Sequence, residues 1–539
     1  MTRALVLLVA ALAALAPAAA QTVETGRGAV TGLPFGARNG VFVLDAEGGT
    51  LRAGPRLVEV APDGTVSLPG AAPAFDPATA VDARVYALDA QGDVVVAALG
   101  FADVTADADA PPPTAAGFAV STDGGRSYAF RFPALDQSRD TTVQFGVSTL
   151  RAVPATVPQG AAPIDLALTA DADTVYAAAL FAGLRRSTDD GATWERVVLP
   201  PDSLLVLDPR RPYRFVYSPD LRQPLGATAD GQPAFPFASE NFVAFSVLVD
   251  EAGTVWAGTN GGLNRSVRVP GATDPGWVRY VDSPLGGSIV GNRVFALEAQ
   301  PDPDGRDDVW ISCHVPDESP TADEEEFGVV VWRGDDAEGF AVFETVLLGV
   351  EVYDLAFDEL RAYAASDDGL YISDDDGATW RVERTFRAAD GRPLPIGPSP
   401  ATFAVATTPG AVWAGTADGL LQSLDGGRTW RLFRADVPPA GADAGRDVEV
   451  YAYPNPFAPS EGEVRIRLDL GAPADVTVRV FDVAMNLVRT LDAPGRPAGP
   501  NEVFWDGRTD GGLRVANGAY IYVVEAGGRQ LSGRILVID

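Results

Sequence analysis

The sequence predicts an all-β chain in two parts, a large body of repeated sheets and a smaller sandwich near the C-terminal end. Three observations predict it. A short apolar strand recurs along the body, and 57 glycines and 43 prolines supply the turns that many short strands need. After Trp430 the repeat stops, and alternating strands follow from residue 447 to residue 539. A β-propeller followed by an immunoglobulin-like β-sandwich accounts for all three.

The first 20 residues have the composition of a secretory signal. Arg3 precedes an apolar run over residues 4–16, and Ala18-Ala-Ala20 provides small residues for cleavage before Gln21. This run is shorter than the ~20 apolar residues of a membrane-spanning helix, and no later run reaches that length. We therefore expect residues 1–20 to be removed from an exported protein without a transmembrane segment.

The composition is strongly acidic and contains no lysine. The chain has 73 acidic and 41 basic residues, all of the latter arginine, and a formal net charge of −32. Such a surface repels nucleic acid and anionic lipid, which excludes nucleic acid as a partner. Two origins stay open, adaptation to salt and a GC-rich genome that favours arginine codons, and they are compatible with each other.

Residues 21–437 form the predicted propeller. The recurring strand begins at residues 94, 175, 255, 309, 362 and 412, so the intervals are 81, 80, 54, 53 and 50 residues. Propeller blades repeat about every 40–50 residues, and insertions lengthen some intervals. Six blades are counted, and N-terminal strands supply an expected seventh. The longest insertion, 200–242, either builds a binding surface or packs between blades.

One motif recurs at the end of several repeats. The pattern Ser-x-Asp-x-Gly-x-Thr-Trp spans 187–194, 373–380 and 423–430, and a weaker copy at 121–128 ends in Tyr. In this spacing the Asp can accept backbone N–H groups, the Gly can take positive φ, and the aromatic ring can cover the turn. The predicted structural residues are Ser121, Asp123, Gly125, Tyr128, Ser187, Asp189, Gly191, Trp194, Ser373, Asp375, Gly377, Trp380, Ser423, Asp425, Gly427 and Trp430.

This pattern resembles the Asp-box, or BNR repeat, of sialidase-like β-propellers. The resemblance implies a propeller and puts the box at the blade periphery, away from the chemistry of that family. Sialidases carry a Phe/Tyr-Arg-Ile-Pro motif before the first box. Here the nearest string, Phe130-Arg-Phe-Pro133, follows the first box. The motif thus indicates the fold and does not indicate sialidase activity.

Residues 438–446 are a small-residue linker, and 447–539 form the predicted sandwich. Tyr453-Pro-Asn-Pro-Phe457, Phe504-Trp-Asp-Gly507 and Asn517-Gly-Ala-Tyr520 resemble the C-terminal sorting domain of type IX secretion cargo. That fold also occurs in the immunoglobulin-like domain of the flagellar hook-capping protein. The resemblance implies the type IX machinery as partner, and a location at the outer-membrane surface or outside the cell. Such signals often end near a lysine-containing tail, which this chain lacks.

The composition also limits the possible chemistry. With one histidine, His314, and one cysteine, Cys313, the chain cannot form an intramolecular disulfide or a zinc site of the usual ligand types. No Gly-x-Ser-x-Gly elbow accompanies the histidine. Glycoside hydrolysis needs only two carboxylates about 5–10 Å apart, and the many acidic residues leave that possibility open. We predict no particular catalytic or cofactor-binding residue.

A calcium site is the one metal candidate. Asp302, Asp304, Asp307 and Asp308 surround a glycine turn and could offer oxygen ligands to a hard cation. An ordinary solvated turn is the alternative.

Two functional hypotheses follow. The first is a non-enzymatic propeller that serves as a recognition or scaffold module, binds a glycan or protein ligand, and is exported by its C-terminal module. The second is a secreted glycoside hydrolase or lyase with a carboxylate pair in the propeller funnel, where the 200–242 insertion shapes the cleft. Two inward carboxylates at hydrolytic spacing, flanked by aromatic side chains in the funnel, would favour the enzyme, and a funnel lined with small and apolar side chains would rule it out.

Overall fold

The computed structural model divides the chain into two compact units at about residue 435. Its described residues are four short strands before residue 68 and the ranges 84–102, 113–123, 129–217, 240–282, 288–301, 307–315, 326–394, 401–433 and 450–538, apart from 409, 417–418, 454, 456, 458 and 460–462. The expected signal (1–20) and linker (438–446) lie outside the described residues.

Seven antiparallel sheets of four strands, each in consecutive order, form the first unit within this described part of the chain, and we call them blades 1 to 7. Blade 1 contains Val43–Leu44, Leu51–Ala53, Val58–Val60 and Val66–Ser67; blade 2 contains Arg84–Gln91, Val94–Ala102, Pro113–Ser121 and Ala129–Arg131. Blade 3 contains Pro163–Leu168, Val175–Ala179, Gly183–Ser187 and Glu195–Arg196; blade 4 contains Ala244–Val249, Val255–Thr259, Gly262–Val267 and Gly276–Tyr280; blade 5 contains Arg293–Gln300, Asp308–His314, Gly328–Asp335 and Ala341–Leu348. Blade 6 contains Val352–Asp358, Arg361–Ser366, Gly369–Ser373 and Arg381–Glu383; blade 7 contains Thr402–Thr408, Ala411–Thr416, Gly419–Ser423 and Arg431–Phe433. Blade 4 gains a fifth strand, Val206–Leu207, on its outer edge.

These sheets form a β-propeller because the first strands of consecutive blades lie side by side around a common channel. The first strands of blades 2 to 7 follow one another in this way, and that of blade 7 also lies beside that of blade 1. We call these first strands the inner strands. The expected seventh blade is thus formed by the strands between residues 43 and 67.

The apolar runs in the sequence become strands that are covered on both faces. Val309–Cys313 in blade 5 is buried at every position, since blade 5 is packed between blades 4 and 6. Trp310 of blade 5 shares a hydrophobic cluster with Leu355 and Ala364 of blade 6. A strand covered on both faces needs no polar alternation, and this explains why continuous apolar runs marked the repeat.

The inserted segments pack onto the propeller in the part that the structure describes. Val216–Tyr217, from the 200–242 insertion, pairs in parallel with Arg151–Ala152 in a small sheet completed by Thr142–Phe145. Tyr217 is buried, and its hydroxyl donates to the Val197 carbonyl at 3.0 Å. The described part of this insertion is therefore anchored on the blades.

The second unit is a β-sandwich. One sheet contains Val450–Tyr453, Val464–Leu470 and Gly499–Trp505, and the other contains Ala474–Phe481, Leu487–Arg496, Gly518–Ala526 and Arg529–Val537. Alternating apolar side chains of both sheets, among them Ile466, Val478 and Trp505, form a single core. The described residues contain one 3-10 turn, Glu240–Phe242, and no helix suited to crossing a membrane.

Candidate functional site

The predicted Ser-x-Asp turns are closed by a shared set of hydrogen bonds. In blade 7 the Ser423 hydroxyl donates to Oδ1 of Asp425 at 2.7 Å and accepts the Gly427 N–H at 2.8 Å. The same Oδ1 accepts the Thr429 N–H at 2.8 Å, and Oδ2 accepts the Thr429 hydroxyl at 2.7 Å. Burial alone would raise the pKa of Asp425, but these donors outweigh it and lower the pKa to about 2.

Two other copies repeat this geometry. In blades 3 and 6, Ser187 and Ser373 donate to Asp189 and Asp375 at 2.8 Å in both cases. The threonine hydroxyl four residues beyond each Asp donates to it at 2.6 Å, and these bonds hold the pKa of both carboxyls below its usual value. In the weaker copy Ser121 donates to Asp123 at 2.8 Å, whereas Gly125 and Tyr128 lie outside the described residues.

Each of the three complete turns binds the preceding blade through an arginine. Arg131 of blade 2 donates to the Asp190 carbonyl at 3.0 Å, and Arg333 of blade 5 donates to the Asp376 carbonyl at 3.3 Å. Arg381 of blade 6 donates to the Gly426 carbonyl at 3.0 Å. The accepting residues have φ of 55°, 59° and 71°, a conformation that turns the carbonyl outward from its own blade.

The tryptophans that end these motifs also contact the preceding blade or the segment that leads from it. Trp194 stacks on Phe118 of blade 2 with ring centroids 4.5 Å apart. The indole N–H of Trp380 donates to the Val346 carbonyl of blade 5 at 2.9 Å. Trp430 lies edge-on to Phe386 at 5.3 Å, in the segment that connects blades 6 and 7. The motif residues therefore join neighbouring blades, at the opposite strand ends from the insertions.

The central channel is a cavity of about 690 Å³ lined by the inner strands of blades 2 to 7. Three of its carboxylates bridge consecutive inner strands. Asp89 accepts the Leu168 N–H at 2.6 Å, Asp165 accepts the Val247 N–H at 2.8 Å, and Asp354 accepts the Val405 N–H at 2.8 Å. An inner strand has an unpaired edge, and these side chains satisfy N–H groups along it.

The carboxyl of Asp165 in the channel has a raised pKa. Burial raises its pKa to about 7, although the backbone N–H groups of Val247 and Leu166 act in the opposite direction, and the nearby charge of Asp89 raises it further. A carboxyl with such a pKa can hold a proton near neutral pH, which is a property shared by general acids in glycosidases.

An arc of aromatic rings lies at the beginning of the inner strands. Register shifts in the described pairings centre on one residue in each of blades 2 to 7, and five of the six are aromatic: Tyr86, Phe245, Phe295, Tyr353 and Phe403, with Ile164 in blade 3. All six residues line the channel. The ring centroids of Phe245 and Phe295 are 5.9 Å apart, those of Phe295 and Tyr353 are 6.0 Å apart, and those of Tyr353 and Phe403 are 6.1 Å apart.

This arc was not predicted from the sequence. An aromatic residue in an apolar strand is usually a core residue, so each one drew no attention alone. The signal is positional, because the aromatic follows the first apolar residue of an inner strand in Val85-Tyr86, Val294-Phe295 and Val352-Tyr353. The N-terminal Val41-Phe42 has the same pattern, although Phe42 lies outside the described residues.

His314 and Cys313 are both buried beside this arc. The imidazole stacks on Phe295 at 4.2 Å, and its Nε2 lies 2.8 Å from the Val352 carbonyl oxygen, which requires an N–H at that position. Burial lowers the pKa of His314 to about 3, so the ring is neutral at ordinary pH. Cys313 forms no disulfide and is buried in the core of blades 4 and 5.

Two of the four residues of the calcium candidate, Asp307 and Asp308, lie in the described part of the chain. Asp307 accepts the Glu251 N–H at 2.7 Å, and Asp308 accepts Arg333 Nη1 at 2.7 Å, so both carboxylates bind protein groups. Asp302 and Asp304 lie outside the described residues. Within the described ranges no three His, Cys, Asp or Glu residues are grouped to hold a metal ion.

In the C-terminal unit, Asn455 and Phe457 fix the last strand. The Asn455 side chain donates to the Arg534 carbonyl at 2.8 Å and accepts the Leu536 N–H at 2.8 Å. The Phe457 backbone then exchanges hydrogen bonds with Leu536 and Ile538. The motif around these residues therefore serves to attach the C-terminal strand along its outer edge.

Comparison with known family models gives one match, within the C-terminal unit. Residues 455–530 match the FlgD Ig-like domain. No curated protein matches the sequence. Among solved structures, the chain is similar to PorZ, a bacterial surface component of the type IX secretion system of Porphyromonas gingivalis. The two are 16% identical with a TM-score of 0.31, and the similarity covers 92% of this chain and 64% of that chain.

Two further similarities have the same level of identity. The GH74 xyloglucanase of Xanthomonas campestris is 16% identical over 92% of this chain and 64% of that chain, with a TM-score of 0.45. YCF48 from Cyanidioschyzon merolae is 16% identical over 63% of this chain and 94% of that chain, with a TM-score of 0.29. The chain thus spans just under two thirds of the length of PorZ and of the xyloglucanase.

Proposed function

We propose that the protein is an exported, non-enzymatic propeller that acts as a recognition or scaffold module at the cell surface. One observation carries the non-enzymatic part of the proposal. The channel carboxylates of Asp89, Asp165 and Asp354 accept backbone N–H groups from the neighbouring inner strand, so each has a structural task. A nucleophile or base engaged in this way is poorly available to a substrate.

The insertions provide the recognition surface in this proposal. The described connections 132–162 and 197–217 join blades at the strand ends where the aromatic arc lies. Asp136 fixes the first of them through bonds to two buried arginines, with Arg185 Nη1 at 2.6 Å and Arg196 Nη2 at 2.7 Å. Loops held on a rigid scaffold are common sites of ligand binding, and a glycan or a protein is the expected ligand.

The C-terminal unit supplies the export route in this proposal. The match of residues 455–530 to the FlgD Ig-like domain, together with the sorting-domain motifs, supports delivery by type IX secretion. The partner is then the secretion machinery, and the propeller is the delivered body. The acidic surface fits an extracellular protein that does not bind nucleic acid.

A secreted glycoside hydrolase or lyase is the second candidate, and Asp165 is the observation that favours it. A carboxyl with a pKa near 7, close to Asp89 and in a cavity with aromatic rings, has the character of a general acid. Polysaccharide hydrolysis by such an enzyme would depend on the proton of Asp165.

One experiment separates the two functions. The full-length protein is applied to a glycan array and, in parallel, incubated with a panel of polysaccharides while reducing ends are measured. We expect retention on the array without release of reducing ends. Release that is lost in Asp165→Asn but kept in Glu338→Gln, an exposed acid outside the channel, would replace the proposal with the hydrolase.

A further inference from the structure

We propose that the central channel binds a small organic ammonium ion, with its cationic head against the aromatic arc. The proposal concerns the channel itself. Binding in the channel is independent of the export route and of any ligand on the insertion loops. A failure of the channel site would therefore leave the proposed function untouched, and the reverse also holds.

The cavity has the size of a ligand site. Its volume of about 690 Å³ lies within the ~300–1,000 Å³ of small-molecule pockets. The lining extends from the aromatic arc to Ala170, Glu251 and Pro301, which are exposed at the opposite strand ends. A ligand therefore has a route from solvent into the channel at that end.

The charge of the lining selects a cation. Seven carboxylic side chains line the cavity, and the described lining residues include no arginine, lysine or histidine. The seven are Asp89, Asp165, Asp250, Glu251, Glu298, Asp307 and Asp354. Low-dielectric walls concentrate the field of such groups and raise the local concentration of counter-ions. The raised pKa of Asp165 reflects the same shortage of positive charge, since burial and Asp89 both oppose its ionisation.

The aromatic arc distinguishes an organic cation from a metal ion. Ring faces attract ammonium groups within about 6 Å of the centroid, and several rings together form the cages that bind quaternary ammonium ligands. Phe295, Tyr353 and Phe403 provide three neighbouring rings at one end of the channel, whereas the buried Phe245 ring already lies 5.4 Å from the Arg293 guanidinium. Carbon rings are not ligands for calcium or magnesium, and no metal-holding group exists among the described side chains.

Choline and its uncharged analogue 3,3-dimethylbutan-1-ol test the proposal by isothermal titration calorimetry on the full-length protein. These probes have nearly the same shape and differ in charge. We expect choline to bind at least about tenfold more tightly, because only the cation gains from the rings and carboxylates. Equal affinity for the two probes, or no heat from choline, would overturn the proposal.

Variants identify the site. Phe295→Leu keeps an apolar side chain but removes a ring, and it should weaken choline binding at least about fivefold, whereas Tyr353→Phe, which keeps the ring, should leave it within about twofold. Glu298→Gln removes a charge from the lining, leaves the rings of the arc in place, and should also weaken choline binding. This second variant tests the site if Phe295→Leu does not fold. Glu338→Gln, outside the channel, is the matched control. Unchanged affinity in Glu298→Gln and Phe295→Leu alike would contradict the assignment.

Discussion

Arg381 of blade 6 donates a hydrogen bond to the carbonyl of Gly426, 3.0 Å away in the turn of blade 7. The turn has its own internal hydrogen bonds, and Gly426 adopts φ of 71° so that its carbonyl faces the neighbouring blade. The recurring motif therefore has two levels of structure. Its Ser, Asp and Thr close the turn, and the closed turn presents a carbonyl to the preceding blade.

Arg381→Ala tests the contact between these blades. The bond is partly exposed, so its loss should reduce the free energy of unfolding by roughly 0.5–1.5 kcal/mol in urea denaturation. Arg384→Ala is the matched control, since Arg384 pairs with Asp368 inside blade 6, and its effect on stability should be smaller than that of Arg381→Ala. An equal effect of the two substitutions would show that Arg381 does not stabilise the contact between blades.

Asp425→Ala tests the closure of the turn. Its carboxylate accepts from Ser423, Arg428 and Thr429, and their loss should destabilise the protein by roughly 1–2 kcal/mol. The folded pKa of about 2 lies below the ordinary value of 3.8, so this stabilisation is complete above about pH 4 and disappears as pH falls through about 2. Urea unfolding of both proteins at pH 7 and pH 2 should therefore show a difference that shrinks in acid. A constant difference would refute the prediction.

Asp165→Asn tests the buried channel carboxyl through the opposite pH dependence. Because the folded pKa is raised to about 7 from 3.8, the folded state holds its proton longer than the unfolded state. Asp165 therefore makes stability fall as pH rises from about 4 to about 7. Asp165→Asn removes this contribution. The free energy of unfolding of the unsubstituted protein should therefore fall more steeply than that of the variant between about pH 4 and about pH 7. Parallel curves would mean that Asp165 has an ordinary pKa.

Asn455→Ala tests how the last strand is attached. Two hydrogen bonds to that strand are lost, and the C-terminal unit should unfold with roughly 1–2 kcal/mol less stability. Amide hydrogen exchange of residues 529–537 reports the effect directly, and faster exchange there is expected. Asn486→Ala, whose side chain bonds only within its own turn through Asp482, should leave that exchange unchanged. Unaltered protection in Asn455→Ala would show that the motif does not hold the strand.

The repeat made the fold predictable from the sequence. Spacing and buried apolar strands such as Val309–Cys313 indicated blades, and the alternation in Val476-Thr-Val-Arg-Val480 indicated a sandwich. The turns around Asp189, Asp375 and Asp425 were expected to accept backbone N–H groups, and they have that geometry.

The candidate site was not predictable in the same way. The aromatic arc depends on register shifts around Phe295 and Tyr353, and a strand pattern does not specify a bulge. The roles of Asp165 and Asp354 arise from partners 82 and 51 residues away along the chain. Which acid lies in a channel is decided by the closure of the ring, a long-range property that local composition does not contain.

The location of the protein in a bacterium with a type IX system tests the central claim most directly. Full-length protein and a chain that lacks residues 447–539 are expressed in parallel, and intact cells are treated with an external protease. The account predicts that the full-length protein is degraded or found in the medium, whereas the shortened chain stays protected in the periplasm while retaining its folded propeller. Arrival of the folded, shortened chain at the surface would contradict it.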